Sequence, residues 1–453
     1  VYVIVVGAGV GGFHIASVLS REGHSVVVVE QSEAALDSVR RLDVKTVLGS
    51  GSNPRVLREA EAPLADLLIA FTTSDETNMV ACFLAKALGT KRTVARVRNP
   101  EYSGYLVTGG TSAVATRRVV TPDSLGISLF VNPDIMAAEE IASILASLYS
   151  SSMEEFAAGR VQAREFRVES EAIVNKPLHD VVFPWPCVVA AIDRPTEIIM
   201  ATNDVVLEKD DRVWVVSSAE TMDDIGAVFG QTRPPAKSVV ILGGEHVGFR
   251  LAQLLEKRGL GIKLIEPDLA LCHQVAAQLE RTEVVQGEGT DSDFLVEEGV
   301  PFSDAFIAAT RQDEHNILSA LLAKNLGAGR SLALVERAQY MPLAEAVGLD
   351  GVVSPLLLAA ERIISLVRST AVVTVAFIAG SRAEAIEFTA GQNARIAGRQ
   401  LGKVEMPHGA VVGAVIRSDA TIIPQNDTVI EPGDHVVVVC LPSAVPAVEK
   451  LFE

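Results

Sequence analysis

Short apolar runs alternate with amphipathic stretches along this chain, and the alternation predicts its elements. Tyr2–Val6, Val26–Val29, Thr46–Leu48, Leu67–Phe71 and Thr93–Val97 are largely apolar runs of strand length, as expected of strands covered on both sides. Between them the period becomes helical. Val80, Phe83, Leu84, Ala87 and Leu88 fall at i, i+3, i+4, i+7 and i+8, which predicts a helix that buries this face. Strand and helix in alternation with short links predict a parallel, doubly wound sheet. Elsewhere DRVWVVSS (Asp211–Ser218) and DHVVVVC (Asp434–Cys440) follow Asp-containing turns and read as strands of smaller α+β or sandwich-like modules. Pro133–Leu148 and Pro355–Val367 read as helices, because proline suits a first helical turn. Each is more apolar than one buried face requires. Two readings stand for them: packing on their own sheet, or crossing to a partner.

The pattern repeats. VIVVGAGVGGFHIASVLSREGHSVVVVE (Val3–Glu30) matches VVILGGEHVGFRLAQLLEKRGLGIKLIE (Val239–Glu266), with Gly7, Gly12, Phe13 and Glu30 aligned on Gly243, Gly248, Phe249 and Glu266, 236 residues on. Past a two-residue insertion, Asp75, Glu76 and Asn78 align on Asp313, Glu314 and Asn316, 238 residues on. A second repeat pairs Leu178 and Asp211 with Leu401 and Asp434. Self-similarity of this kind sets the architecture: two large αβ lobes, each followed by a small lobe. The Pro-rich Thr232–Lys237 reads as the linker between halves.

Composition narrows the function classes. At 49% hydrophobic and 21% charged, the chain can bury sizeable cores and is not a disordered protein. A formal charge of −18 with scattered Lys and Arg argues against nucleic acid and against direct binding to anionic lipid. No apolar run approaches the roughly 20 residues of a membrane helix, so no direct membrane insertion is expected. The opening apolar run lacks a preceding basic segment and is expected to be a strand rather than a signal peptide. Cys82, Cys187, Cys272 and Cys440 are far apart, which fits reduced thiols better than a zinc site or disulfides. No His spacing suggests a metal.

The candidate chemistry lies in the opening repeat. Gly7-Ala8-Gly9-Val10-Gly11-Gly12 fits G-x-G-x-x-G directly after a strand and at the start of a helix. Gly7 permits the tight turn, Gly9 leaves room for a pyrophosphate, Gly12 allows close helix–strand contact, and the helix N-terminus offers N–H donors to phosphates. Glu30 ends the second strand, where a carboxylate can accept hydrogen bonds from both ribose hydroxyls of NAD(H) and would repel a 2′-phosphate. Ser50 and Ser52 follow the third strand and stand either against adenine or in a plain turn. Thr72 and Thr73 end the fourth strand over the crevice; Asp75 and Asn78 after them suit a helix N-cap and acidic first turn. Arg96 in the fifth strand reaches either a ligand or an inter-domain salt bridge. In the second copy Glu245 replaces the middle glycine between Gly243 and Gly248, Glu266 keeps the ribose position, Glu288 stands in the adenine loop, and Leu334 replaces Arg96. A carboxylate there opposes a phosphate by bulk and by charge, so this copy binds a less demanding ligand, binds weakly or stays empty. His246 is either a phosphate contact or a surface histidine.

These residues together resemble the TrkA family of Trk-type potassium uptake regulators, over essentially the whole chain. The specific marks are the glycine loop with its VVVVE strand, TTSDETNMVACFLAKALG with its counterpart ATRQDEHNILSALLAKNLG, and the closing MPHGAVVGAVIRSDATIIPQNDTVIEPGDHVVVVCLP. The resemblance implies two tandem RCK units, each a Rossmann-like doubly wound N lobe followed by an α+β C lobe. The expected division is 1–122 and 238–354 for the N lobes, 153–231 and 371–453 for the C lobes, 123–152 and 355–370 for connecting helices, and 232–237 for the linker. It implies a cytoplasmic, peripheral regulator docked on a membrane potassium-conducting Trk subunit, assembled as a homotetramer, with NAD(H) and also ATP or ADP as ligands. By the resemblance Gly7, Gly9 and Gly12 hold phosphates and Glu30 the ribose. The family usually has Asp where Ser50 stands. ATP-gated single-unit relatives often carry Arg where this chain has Val10, which tilts the first site toward NAD(H). Two other readings stand beside it, an NAD-dependent oxidoreductase and a soluble nucleotide sensor without a membrane partner. The first needs a substrate domain with an acid or base near the nicotinamide, and no His–Asp or Tyr–Lys constellation stands out.

Overall fold

The structure is a computed structural model and describes residues 1–99, 102, 121–146, 153–194, 197–230, 236–364, 371–379, 382–418 and 420–453. Most of the expected linker, and the far ends of both connecting helices, lie outside the described residues.

The first lobe runs β1 (Tyr2–Val6), α1 (Val10–Arg21), β2 (Ser25–Glu30), α2 (Glu33–Val39), β3 (Lys45–Leu48), α3 (Pro54–Glu59), β4 (Leu67–Ala70), α4 (Asp75–Leu88), β5 (Arg92–Arg96), β6 (Leu129–Val131) and α5 (Pro133–Ala146). Its strands order as β3-β2-β1-β4-β5-β6 and pair in parallel, Val3 standing against Val26 on one side and Leu67 on the other. Val3, Ile4, Val5, Leu67, Leu68 and Ile69 are fully buried, as strands covered by helices on both faces must be. The order reverses between β1 and β4, and a ligand crevice opens beyond the carboxyl ends at such a reversal.

The first small lobe follows: β7 (Met153–Phe156), β8 (Val161–Arg167), β9 (Val188–Asp193), β10 (Ile198–Met200), β11 (Arg212–Ser218) and α6 (Met222–Val228). The second half repeats both. Its large lobe holds β12 (Ser238–Leu242), α7 (His246–Lys257), β13 (Gly261–Glu266), α8 (Leu269–Ala276), β14 (Glu283–Gln286), α9 (Ser292–Glu297), β15 (Ala305–Ala308), α10 (Asp313–Leu326), β16 (Ser331–Leu334), α11 (Met341–Ala346), β17 (Gly351–Val353) and α12 (Pro355–Ile364), with sheet order β14-β13-β12-β15-β16-β17. Its small lobe holds β18 (Val372–Ile378), β19 (Ala383–Thr389), β20 (Ala410–Arg417), β21 (Ala420–Ile422), β22 (His435–Cys440) and α13 (Val445–Phe452).

The chain forms two compact units, and each draws on both halves. One comprises Val1–Glu140, Ser238–Ala344 and Val352–Val367; the other comprises Ile141–Lys237, Glu345–Gly351 and Arg368–Glu453. In the first unit the two large lobes exchange helices. α12 packs on α1 of the opposite lobe, and Glu139 on α5 lies close enough to Arg250 on α7 for its carboxyl to feel that charge. The connecting helices thus cross to a partner lobe within their own chain.

In the second unit the two antiparallel sheets, β10-β9-β11-β8-β7 and β18-β19-β22-β20-β21, pack face to face. Alternation in β11 explains it. Trp214 and Val216 join Ala163, Ala385, Ala414, Val437 and Val439 between the sheets, while Val213 and Val215 join Phe166, Met222, Ile225 and Phe229 on the side of α6. The small residues bring the sheets close: a Cβ on Gly413 would lie 2.9 Å from Val216.

One expectation fails. α4 buries Asn78, Met79, Ala81, Cys82 and Ala85, and leaves Val80 and Phe83 exposed at 42% and 50%. The two stripes overlap in period, and only the position of the sheet selects between them.

Candidate functional site

The glycine loop joins β1 to α1 at the reversal of strand order. Gly7 has φ +106°, and a Cβ on it would lie 2.8 Å from the Phe71 carbonyl oxygen. A Cβ on Gly12 would lie 2.0 Å from the Gly7 carbonyl oxygen, so α1 can sit this close only on glycine. A Cβ on Gly11 would strike the Phe71 ring. Gly9 differs. It precedes α1 in extended conformation (φ −65°, ψ −178°), and nothing lies within 4 Å of where its Cβ would be. The fold itself does not require glycine there, and the space in front of the loop is open. No side chain caps α1, so its first N–H groups are available to an anion. Val10 beside them is exposed.

Glu30, at the end of β2, is already tied to this loop. One carboxylate oxygen accepts from the Ala8 N–H at 2.7 Å, the other from the Gln31 and Ser32 N–H groups at 2.7 and 3.0 Å. These bonds hold the carboxylate at the crevice edge and occupy three of its roughly four acceptor sites, leaving about one open. Ser50 and Ser52, after β3, are half-buried and share a hydrogen bond of 2.8 Å between their hydroxyls.

The TTSDETN segment turns out to be largely a structural fastening. Ser74, not Asp75, caps α4, accepting from the Thr77 N–H at 3.1 Å. Asn78 is fully buried. Its Oδ1 accepts from the Thr72 N–H and hydroxyl at 2.9 and 2.7 Å, and its Nδ2 donates to the Thr72 and Arg96 carbonyls at 3.1 and 2.9 Å. Asp75 accepts from the Arg98 and Asn99 N–H groups at 2.9 and 2.7 Å. Thr310, Asn316 and Asp313 repeat these bonds in the second lobe. The Thr72 hydroxyl is therefore engaged in joining β4 to β5, whereas Thr73 is exposed at the crevice.

Arg96 is 7% exposed. It donates to the Thr72 carbonyl at 2.9 Å, and its guanidinium lies 5.5 Å from the centre of the Phe71 ring. Its Nε is buried without a hydrogen-bond partner. Burial and the neighbouring Arg98 push its pKa down. Arg96 is thus a buried guanidinium with one unpaired donor, resting on the same phenylalanine that packs against Gly11. The salt bridge belongs to its neighbour and lies within the first lobe: Arg98 binds Asp134 on α5 through two contacts of 2.8 and 3.0 Å, and Asp134 in turn lies 3.9 Å from His246 of the second lobe.

The second loop has the same backbone with different occupants. Gly243 has φ +102°, a Cβ on Gly248 would lie 1.9 Å from the Gly243 carbonyl oxygen, and Glu266 accepts from the Gly244 N–H at 2.7 Å. Glu245 takes the place of Gly9 with a matching conformation (φ −83°, ψ 165°), and its carboxylate is ion-paired with Arg311. Arg311 also contacts His246 Nε2 at 3.0 Å, so His246 is a half-exposed bridge between lobes. Glu288 is exposed. Phe71, Arg98, Asp134 and Arg311 carry no motif and escaped the sequence reading, although Arg311 sits at the same 238-residue spacing from Thr73 as the rest of the repeat. Among the described residues no cluster of His, Cys, Asp and Glu could hold a metal, and no helix is long and apolar enough to cross a membrane.

Comparison with known proteins agrees with this architecture. The TrkA-N domain model matches residues 3–117 and 239–355, and the TrkA-C domain model matches 163–230 and 385–453. The crystal structure of the GsuK RCK domain superimposes with a TM-score of 0.60 at 17% identity, covering 100% of this chain and 94% of that one. The GsuK channel bound to NAD gives 0.60 at 16% identity, over 100% and 78%. The fold is thus that of tandem RCK-type domains. Trk system potassium uptake protein TrkA homolog 2 of Methanosarcina mazei is 36% identical over 99% of both chains, and Trk system potassium uptake protein TrkA of Halomonas elongata is 33% identical over 100% of this chain and 98% of its own. The chain belongs to the TrkA family of Trk potassium uptake proteins.

Proposed function

We propose that this chain is a nucleotide-responsive regulatory subunit of a Trk-type potassium uptake system, and that its first lobe binds NAD(H), with ATP or ADP as competing ligands. Gly9 carries the reading: it is the one glycine of the motif that the surrounding protein does not demand, and it borders the open end of a helix. Gly7, Ala8, Gly9, Val10, Gly11 and Gly12 would present backbone donors to the phosphates, Arg96 would add charge, Glu30 would hold the ribose, and Ser50 and Ser52 would lie toward adenine. The named relatives are potassium uptake proteins, and a channel of the same fold has been solved with NAD; both support the assignment.

The subunit would act from the cytoplasmic face on a membrane potassium-conducting partner, as a homotetramer. Support for self-assembly comes from an apolar patch present on both large lobes: Leu64, Val80 and Phe83 on the first, and Phe302 and Leu318 at the matching positions of the second, all exposed. Ligand binding need favour one arrangement of the lobes by only about 1–3 kcal/mol to bias the partner. The test is an NADH titration of the purified full chain, followed by fluorescence. Gly9→Asp should weaken binding at least a hundredfold while leaving thermal unfolding unchanged, since the same backbone tolerates Glu245. Normal NADH binding by that variant would refute the site.

A further inference from the structure

The geometry points to a second lobe that is closed by its own residues: the Glu245–Arg311 ion pair spans the mouth of the crevice and keeps nucleotide out, so each chain offers one nucleotide site rather than two. Glu245 stands at the start of α7, at the position where the first lobe has Gly9 with open space before it, and Arg311 reaches its carboxylate from the loop after β15. These are the two loops between which the crevice opens. The carboxylate is favourably placed beside the N-terminus of α7, where a negative charge is stabilised, and it repels any phosphate that approaches.

The substitutions around the pair are concerted. Where the first lobe has Gly9 and Thr73, the second has Glu245 and Arg311. Where the first has Gly11 under the Phe71 ring, the second has Val247 with Ala309. Arg96, with its open donor, becomes Leu334, so the cation deep in the crevice is replaced by one at its mouth that already has a carboxylate. His246 ties the pair to the first lobe through its contact with Arg311 and its approach to Asp134. Meanwhile Glu266 keeps the ribose-edge geometry of Glu30 through its bond to Gly244. The crevice is thus retained in form and blocked at one point.

This inference deepens the nucleotide reading, and the two are tested separately by counting ADP and NADH equivalents bound per full-length chain in isothermal titration. The first-lobe reading is judged by the change from the native chain to Gly9→Asp, expected to fall from one equivalent to none. The closed second lobe is judged by the change from Gly9→Asp to Gly9→Asp with Glu245→Gly, expected to rise from none to one as Arg311 becomes free to meet phosphate. Two equivalents on the native chain with one remaining in Gly9→Asp, or none regained on removing Glu245, overturns the inference, whereas one equivalent on both the native chain and Gly9→Asp refutes the first-lobe site. A native chain that binds nothing while the double variant binds one equivalent refutes the first-lobe reading and leaves the inference standing. Should the glycine variant lose its cooperative unfolding transition, Glu245→Ala in the same background reads the same outcomes.

Discussion

Gly9 and Glu245 sit on one backbone conformation in two copies of one loop, and the pair separates what the fold needs from what a ligand needs. Gly7, Gly12, Gly243 and Gly248 are demanded by neighbouring backbone in both copies; the middle position is not. The same comparison applies to Arg96 and Leu334. Because leucine is accepted at the end of β16, Arg96→Leu should fold normally. It should weaken NADH or ADP binding about tenfold or more, the value of a hydrogen bond to a charged group at about 1.5–3 kcal/mol. Unchanged affinity in a titration would remove Arg96 from the site. The motif alone makes Gly9 and Glu30 candidate site residues, whereas Arg96 stays ambiguous in the sequence because a charged residue in a strand says nothing of what faces it.

At the scale of elements, Asn78 and Asn316 fasten β4 to β5 and β15 to β16 through four hydrogen bonds each. Replacing Asn78 by Ala leaves buried backbone groups of Thr72 and Arg96 unpaired, each costing about 1–3 kcal/mol. Urea unfolding should show roughly 2–4 kcal/mol of lost stability, and Asn316→Ala a loss of the same order. The motif was legible, but its role was not, since a helix cap and a strand fastener use the same side-chain chemistry. Helix α4 teaches the same lesson. Its period was readable, yet Val80 and Phe83 point outward and Cys82 and Ala85 inward.

For the whole molecule, the exposed apolar patches and the charges between the small lobes each give a prediction. Leu64→Glu combined with Phe302→Glu should convert the proposed tetramer into smaller species by light scattering, without loss of folding, since Leu64 and Phe302 are 70% and 88% exposed. An unchanged mass would exclude the patch from assembly. In the second unit, Asp193, Glu165 and Glu345 gather around Arg212 and Arg382. Three carboxylates against two guanidiniums leave negative charge in excess, and burial pushes Glu345 up to about 7 and Asp193 to about 6. A carboxyl with a raised folded pKa adds stability below its ordinary range, and that stability is lost as pH rises through the folded value. His14, pushed down to about 4 by burial, acts in the opposite sense but only below about pH 6.5. Between about pH 4.5 and 7, where His14 contributes equally to both proteins, the native chain should therefore lose stability relative to Glu345→Gln in chemical unfolding. An equal loss in both would show that Glu345 is ionised throughout.

The sequence by itself determined the local and repeating features: the strands, the helices, the fourfold succession of lobes, the glycine loop with its carboxylate, and the family. All of these depend on neighbours within about 30 residues or on the chain's likeness to itself. Tertiary structure decided which lobes associate. Large lobe joins large lobe and small joins small, across the serial order, because the apolar faces that match are those of like sheets and of the exchanged helices α5 and α12. It also decided which stripe of α4 is buried, and which of two threonines is free. The partner of Glu245, Arg311, lies 66 residues further on. That approach is created by folding β12 beside β15, and no local pattern records it.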